Sequence, residues 1–155
     1  MAGPGTRRDS RETAVQFLFV RDMHGGAVDG DANMVLDLRE VKFSKKVVQF
    51  AKDLIEGVIR NQDELDNAIR TQAINFTFER LATVDRNILR VAVYEMLHSP
   101  ETPPVVAINE AIEIAKKLGA EDSGKFVNGI LDGIRKQLTR PARESAPRNA
   151  DAPRD

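Results

Sequence analysis

The sequence predicts an all-α protein, a compact bundle of about six or seven helices. Three observations carry that prediction. Apolar residues recur at three- and four-residue spacing along most of the chain. No segment shows the clean two-residue alternation of a half-buried strand. Capping residues and glycine or proline breaks fall where the periodic runs begin and end.

The elements follow in order. Asp9 or Ser10 caps a first helix that reaches about His24 and is stopped by Gly25–Gly26. Asn33–Arg39 forms a short helix. Ser44 caps a longer one with Val47, Val48, Ala51, Leu54, Ile55 and Val58 on one stripe. After a break near Asn61, Leu65, Ala68 and Ile69 continue the pattern to about Ile74. Asn75–Arg80 is a connector carrying Phe76 and Phe78. From Thr83, residues Ile88, Leu89, Ala92, Val93 and Met96 mark another helix, closed by Ser99–Pro100 and Pro103–Pro104. Val105–Leu118 follows, with Gly119 just past its end. Asp122 or Ser123 then caps a final helix running to about Leu138.

Composition bounds the organisation. A chain of 155 residues is most simply one domain able to bury a real core. Residues 1–8 read as a flexible, arginine-containing arm and 9–139 as a single helical domain. Residues 140–155 read as a disordered tail, because Arg140, Arg143, Arg148 and Arg154 alternate with Pro141, Pro147 and Pro153 and almost nothing there can be buried. No apolar run is long enough to span a bilayer, and the N-terminus lacks the apolar segment of a signal peptide. The expectation is a cytoplasmic protein with no membrane partner. The absence of cysteine excludes disulfides and thiolate chemistry.

With a formal net charge of −1, any nucleic-acid surface must come from local concentrations of positive charge. The first helix offers one. Arg7, Arg8 and Arg11 crowd its start, against the preference of that helix end for anions. At about 100° per residue, Arg8 and Phe19 share a stripe. Arginine can hold phosphate and an exposed aromatic can stack on an unpaired base; Phe19 can equally be core. The second candidate is the corner before the last helix. Asp122, Lys125 and Phe126 gather a carboxylate, a cation and an aromatic within five residues. They suit acceptance from a base, phosphate contact and stacking. Their ordinary alternatives are an N-cap, a solvated lysine and a core-margin phenylalanine. Gly129 and Gly133, four apart on one helix face, suggest close backbone packing. Glu110 and Glu113 read as a solvated face.

Enzyme signatures are missing from the sequence. His24 and His98 are isolated, and there is no phosphate-cradling glycine loop, nucleophile elbow or HExxH. Asp29, Asp31, Asn33, Val35, Asp37 and Glu40 occupy the liganding positions of an EF-hand loop, but Met34 stands where the sharp turn needs glycine. Calcium binding is therefore not expected, and neither a cofactor nor a small-molecule substrate is implied.

Three segments resemble the NusB family of bacterial transcription antitermination factors: RRDSRETAVQFLF, LATVDRNILRVAVYEML and VVAINEAIEIAKKLGAEDSGKFVNGILDGI. The resemblance covers the first helix and nearly all of Leu81–Leu138; residues 25–75 match only in helical character. It implies two packed helical subdomains and a non-enzymatic protein. It also implies binding to boxA RNA of ribosomal RNA leader transcripts, together with the small-subunit ribosomal protein NusE, within an RNA polymerase antitermination complex. The family's arginine-rich start falls on Arg7, Arg8 and Arg11, with Asp9 where further basic residues are common. Phe19 stands where tyrosine is frequent, so stacking is kept without a hydroxyl. Asp122, Lys125 and Phe126 match the family's RNA-contacting helix start, and Asp85 falls where a carboxylate faces NusE. Similar domains also precede RNA cytosine methyltransferase domains, an activity for which this chain lacks the length. The remaining alternative is a protein–protein module that binds NusE or itself with little RNA binding of its own. One geometric expectation follows: the start of the first helix and the 122–126 corner should lie side by side, with Phe126 partly exposed.

Overall fold

The computed structural model describes residues 5–26, 30–73 and 78–138. Seven α-helices run through them: α1 (Arg7–Met23), α2 (Gly30–Lys42), α3 (Lys45–Arg60), α4 (Gln62–Gln72), α5 (Thr83–His98), α6 (Pro104–Leu118) and α7 (Ser123–Arg135). A 3-10 turn, Phe78–Arg80, precedes α5, and no strand occurs among the described residues. The expected tail and residues 1–4 of the expected arm lie outside the described residues, as do Ile74–Thr77 of the connector.

Helix α1 starts earlier than its strongest sequence signals. Thr6 is the N-cap, not Asp9 or Ser10: its hydroxyl accepts from the Asp9 amide while the Asp9 carboxylate accepts from the Thr6 amide at 2.8 Å. Arg7 and Arg8 therefore occupy the first helical turn instead of a flexible arm. Ser10 is buried and donates its hydroxyl to the Val47 carbonyl at 2.8 Å, tying α1 to α3. The helix ends where Gly25 and Gly26 take φ of 76° and 90°, with the Gly26 amide donating back to Arg21 O at 2.9 Å. Ser44 caps α3 as its sequence suggests. Helix α2 is longer than the expected Asn33–Arg39, and it carries Asn33, Val35, Asp37 and Glu40 on helical backbone, not in a metal-binding loop; Asp29 lies outside the described residues.

Helices α1–α3 pack together, α4–α7 pack together, and α1 and α3 both lie against α5 at the seam. One apolar core runs across it, including Val15 and Leu18 of α1, Leu54 and Val58 of α3, Leu65 and Ile69 of α4, Leu89 and Val93 of α5, Ile114 of α6 and Leu131 of α7. At the seam Gly57 leaves room for the Tyr94 ring, which a β-carbon there would strike. Two buried charge networks also cross it. Arg11 holds Glu95 at 2.6 and 2.8 Å. Eleven residues further along α1, Asp22 accepts from Arg90 at 2.8 Å, and Arg90 also holds Asp66 of α4 at 2.8 and 3.0 Å. Charges this deep persist only when paired and hydrogen-bonded. Because Arg11 pairs with Glu95 and Asp22 with Arg90, α1 and α5 are fixed antiparallel.

The α6–α7 corner is organised by Ser123. Its Oγ accepts from the Ala120 amide at 2.9 Å and donates to the Asp85 carboxylate at 3.2 Å. Gly119 is needed for space and not for a left-handed turn: its φ is −94°, and a β-carbon would sit 2.6 Å from Ser123 Oγ. Asp122 occupies the cap position but makes no side-chain capping hydrogen bond. Of the two glycines expected to mark close packing on α7, Gly133 lies against the Gln72 side chain of α4, whereas Gly129 faces open space.

Candidate nucleic-acid interface

The residues singled out from the sequence separate into an exposed set and a buried set. Arg7 is exposed, with its guanidinium stacked 3.9 Å above the Phe50 ring of α3. Arg8 is exposed too, its side chain retaining 47% of its accessible surface. Lys125 and Asp122 are exposed at the corner, and Lys125 makes no ion pair with a described residue. Phe126 is half-buried against the core margin.

Arg11 differs from its two neighbours. Its side chain is 7% exposed and its guanidinium is committed to Glu95, with a longer contact to Glu110 at 3.4 Å. It falls on the inward stripe of α1 with Val15 and Leu18, and that position gives it a bundle-forming job in place of a phosphate contact. The sequence held a signal for this. Glu95 lies on the apolar stripe of α5 with Ile88 and Ala92, where a carboxylate must find a buried cation.

Phe19 is half-buried. With Val15, Val20, Val84 and Leu118 it lines an open groove of about 740 Å³, whose further wall is α2 with Leu38 and Arg39.

The expected side-by-side placement of the α1 start and the corner is not what the fold builds. Helices α1 and α7 make no contact; α6 lies between them. Arg8 meets Glu110 at 2.5 and 3.0 Å, and about two α6 turns later Lys117 meets Glu12 at 2.9 Å. Helix α6 thus runs parallel to α1 and delivers its C-terminal end, Lys117 and Leu118, beside Glu12, Val15 and Phe19. The corner begins immediately after Leu118. The two candidate regions are the ends of one edge, whose middle is supplied by α6. Glu110 belongs to that edge, only 17% exposed and paired with two arginines, which corrects its reading as part of a solvated face. The side chains of Arg8, Asp9, Glu12, Glu113, Lys116 and Lys117 line a shallow charged depression along it.

Asp85 lies beneath the corner at 9% exposure. Ser123 donates to its Oδ2, while Oδ1 is buried without a hydrogen-bond partner among the described residues. Burial pushes its carboxyl up from the ordinary aspartate value; the Ser123 hydrogen bond opposes the shift and the charge of Asp122 adds to it. No group of three or more metal-ligating side chains is assembled among the described residues, and no described helix is long and apolar enough to cross a membrane.

Among the described residues the chain is an all-helical bundle with exposed cations and half-buried aromatics along one edge, the build of a helical binding domain. The chain belongs to the NusB family, whose model matches residues 8–136. It is 42% identical over 144 residues to the transcription antitermination protein NusB of Geobacter sp. (strain M21), covering 86% of this chain and 97% of that one. It is 45% identical over 134 residues to the NusB of Geobacter sulfurreducens, covering 86% and 96%. Among solved structures, T. maritima NusB superposes with a TM-score of 0.78 at 37% identity, covering 89% of this chain and 96% of that one. A structure of the antitermination factors NusB and NusE in complex with dsRNA matches with a TM-score of 0.75 at 30% identity, covering 85% and 97%.

Proposed function

We propose that this protein is a cytoplasmic, non-enzymatic transcription antitermination factor. It binds boxA RNA of ribosomal RNA leader transcripts together with NusE and promotes read-through by RNA polymerase. The observation that carries this reading is the continuous α1–α6 edge: exposed arginines at one end, the Asp122–Phe126 corner at the other, and a NusB–NusE–RNA complex as a structural neighbour.

Along this edge Arg7, Arg8 and Lys125 contact phosphates. Phe126 stacks a base, Phe19 stacks from the groove, and Asp122 accepts from a base edge. Arg11 supports the surface from beneath by holding α1 to α5. Asp85 contributes to NusE docking by accepting from Ser123 and so ordering the corner above it.

One observation favours a second reading, a NusE-binding or self-associating module with little RNA affinity of its own. Of the three arginines, Arg8 and Arg11 are already paired with carboxylates. Titration of labelled boxA RNA with and without NusE, combined with sedimentation, separates the two. Saturable binding that NusE strengthens supports the antitermination factor. Absence of RNA binding under both conditions, with NusE still bound, replaces it with the protein module.

A further inference from the structure

We propose that Glu110 is an internal competitor for RNA phosphate, holding Arg8 in an occupied state that the RNA must displace. The inference rests on the RNA-binding reading above and concerns the regulation of that same edge.

Glu110 projects from α6 and splits its two oxygens between two arginines of α1. Oε2 accepts from Arg8 Nη2 at 2.5 Å and from Arg8 Nε at 3.0 Å, and Oε1 faces Arg11 Nη1 at 3.4 Å. The two arginines are not equivalent. Arg11 is satisfied by Glu95 through its Nε and its second terminal nitrogen, so it does not depend on Glu110. Arg8 has no other ion pair among the described residues and is the exposed member. One carboxylate oxygen accepting from both Nε and Nη2 occupies the planar donor edge that a phosphate would use.

The surroundings reinforce the arrangement. The hydrogen bond and charge of Glu110 raise the affinity of Arg8 for its proton, and Glu113 and Glu12 add to the effect from the same depression. Of these neighbours, Glu12 is engaged by Lys117 at 2.9 Å and Glu113 by Lys116 at 3.3 Å. The edge is therefore a lattice of internal pairs whose cations can be shared with a polyanion. Arg8, the exposed member, lies at the rim of the pair, so an RNA strand bringing several phosphates can open Arg8–Glu110 while an isolated anion gains little. The device makes binding depend on a chain of phosphates in register and lowers retention of stray anions.

The test is a double-mutant cycle on the full chain, reading the anisotropy of fluorescein-labelled single-stranded boxA RNA across a salt series. Arg8→Ala weakens binding. Glu110→Gln, which keeps shape but removes the competing charge, tightens it about two- to fivefold at low salt. It also steepens the log–log salt slope by up to about 0.7, one phosphate's worth on a single strand. Arg8→Ala/Glu110→Gln shows no gain over Arg8→Ala. If Glu110→Gln lowers the thermal midpoint too far to assay, Glu110→Asp serves instead, withdrawing the carboxylate from Arg8 while leaving charge near Arg11, with a gain in the same direction. Weakening by Arg8→Ala without a gain from either Glu110 variant overturns the competitor role and leaves RNA binding standing. A gain that persists without Arg8 reduces the effect to loss of a negative charge near RNA and also overturns it. No effect of Arg8→Ala removes Arg8 from the RNA surface, and the competitor role falls with it.

Discussion

Arg11 of α1 grips Glu95 of α5 through both sides of its guanidinium, at 2.6 and 2.8 Å, with the two side chains only 7% and 1% exposed. This pair joins the first helical layer to the second, and Thr102 adds a hydroxyl contact to Glu95 at 3.4 Å. Removing one partner strands the other charge in a dry interior. Arg11→Ala should therefore lower stability by about 3–5 kcal/mol. Chemical denaturation followed by circular dichroism measures it. A fully stable Arg11→Ala protein that has lost RNA binding would return Arg11 to the RNA surface and contradict the structural role.

With Arg11 committed inward, Arg7, Arg8 and Lys125 remain as the proposed phosphate contacts. Three phosphates on a single strand give a salt slope of about −2 for log affinity against log salt concentration. Lys125→Ala should reduce its magnitude by about 0.7. An unchanged slope in that variant would place Lys125 outside the interface.

Phe126 is half-buried and packs at the core margin. Phe126→Ala should weaken boxA binding by about 1–3 kcal/mol if the ring stacks a base. Phe126→Leu separates the two roles, because it retains apolar volume at the margin and removes the π-face. Equal affinity for wild type and a folded Phe126→Leu protein would eliminate stacking.

In the proposed role of Asp85, stability is set against partner binding. Burial holds its carboxyl above the ordinary aspartate value, so the folded state binds a proton that the unfolded chain releases. Its contribution to stability falls as pH rises from the unfolded value through the raised one, and the deficit persists at neutral pH. Asp85→Asn removes that deficit and can still accept from Ser123. The variant should melt higher than wild type at pH 7, with the difference shrinking toward acid pH, while NusE affinity decreases. Equal melting temperatures at pH 7 would show that the buried charge is fully compensated.

Local signals in the sequence determine the helical class, most element positions and the family. These signals act over a few residues: three/four apolar spacing, Ser44 before α3, the double glycine after α1 and the prolines before α6. They misplace the start of α1 because three neighbouring residues, Thr6, Asp9 and Ser10, are all competent caps. Only the reciprocal bonds between Thr6 and Asp9 choose among them. The sequence likewise names Arg7, Arg8, Arg11, Lys125 and Phe126 without ranking them. Their division into an exposed set and a buried set depends on partners far along the chain, since Glu95 lies 84 residues from Arg11 and Glu110 lies 102 residues from Arg8. Periodicity within one helix cannot show which face meets which neighbour. The tertiary structure decided that α6, rather than direct contact between α1 and α7, connects the start of α1 to the Asp122–Phe126 corner, because burial of the shared core fixes helix order.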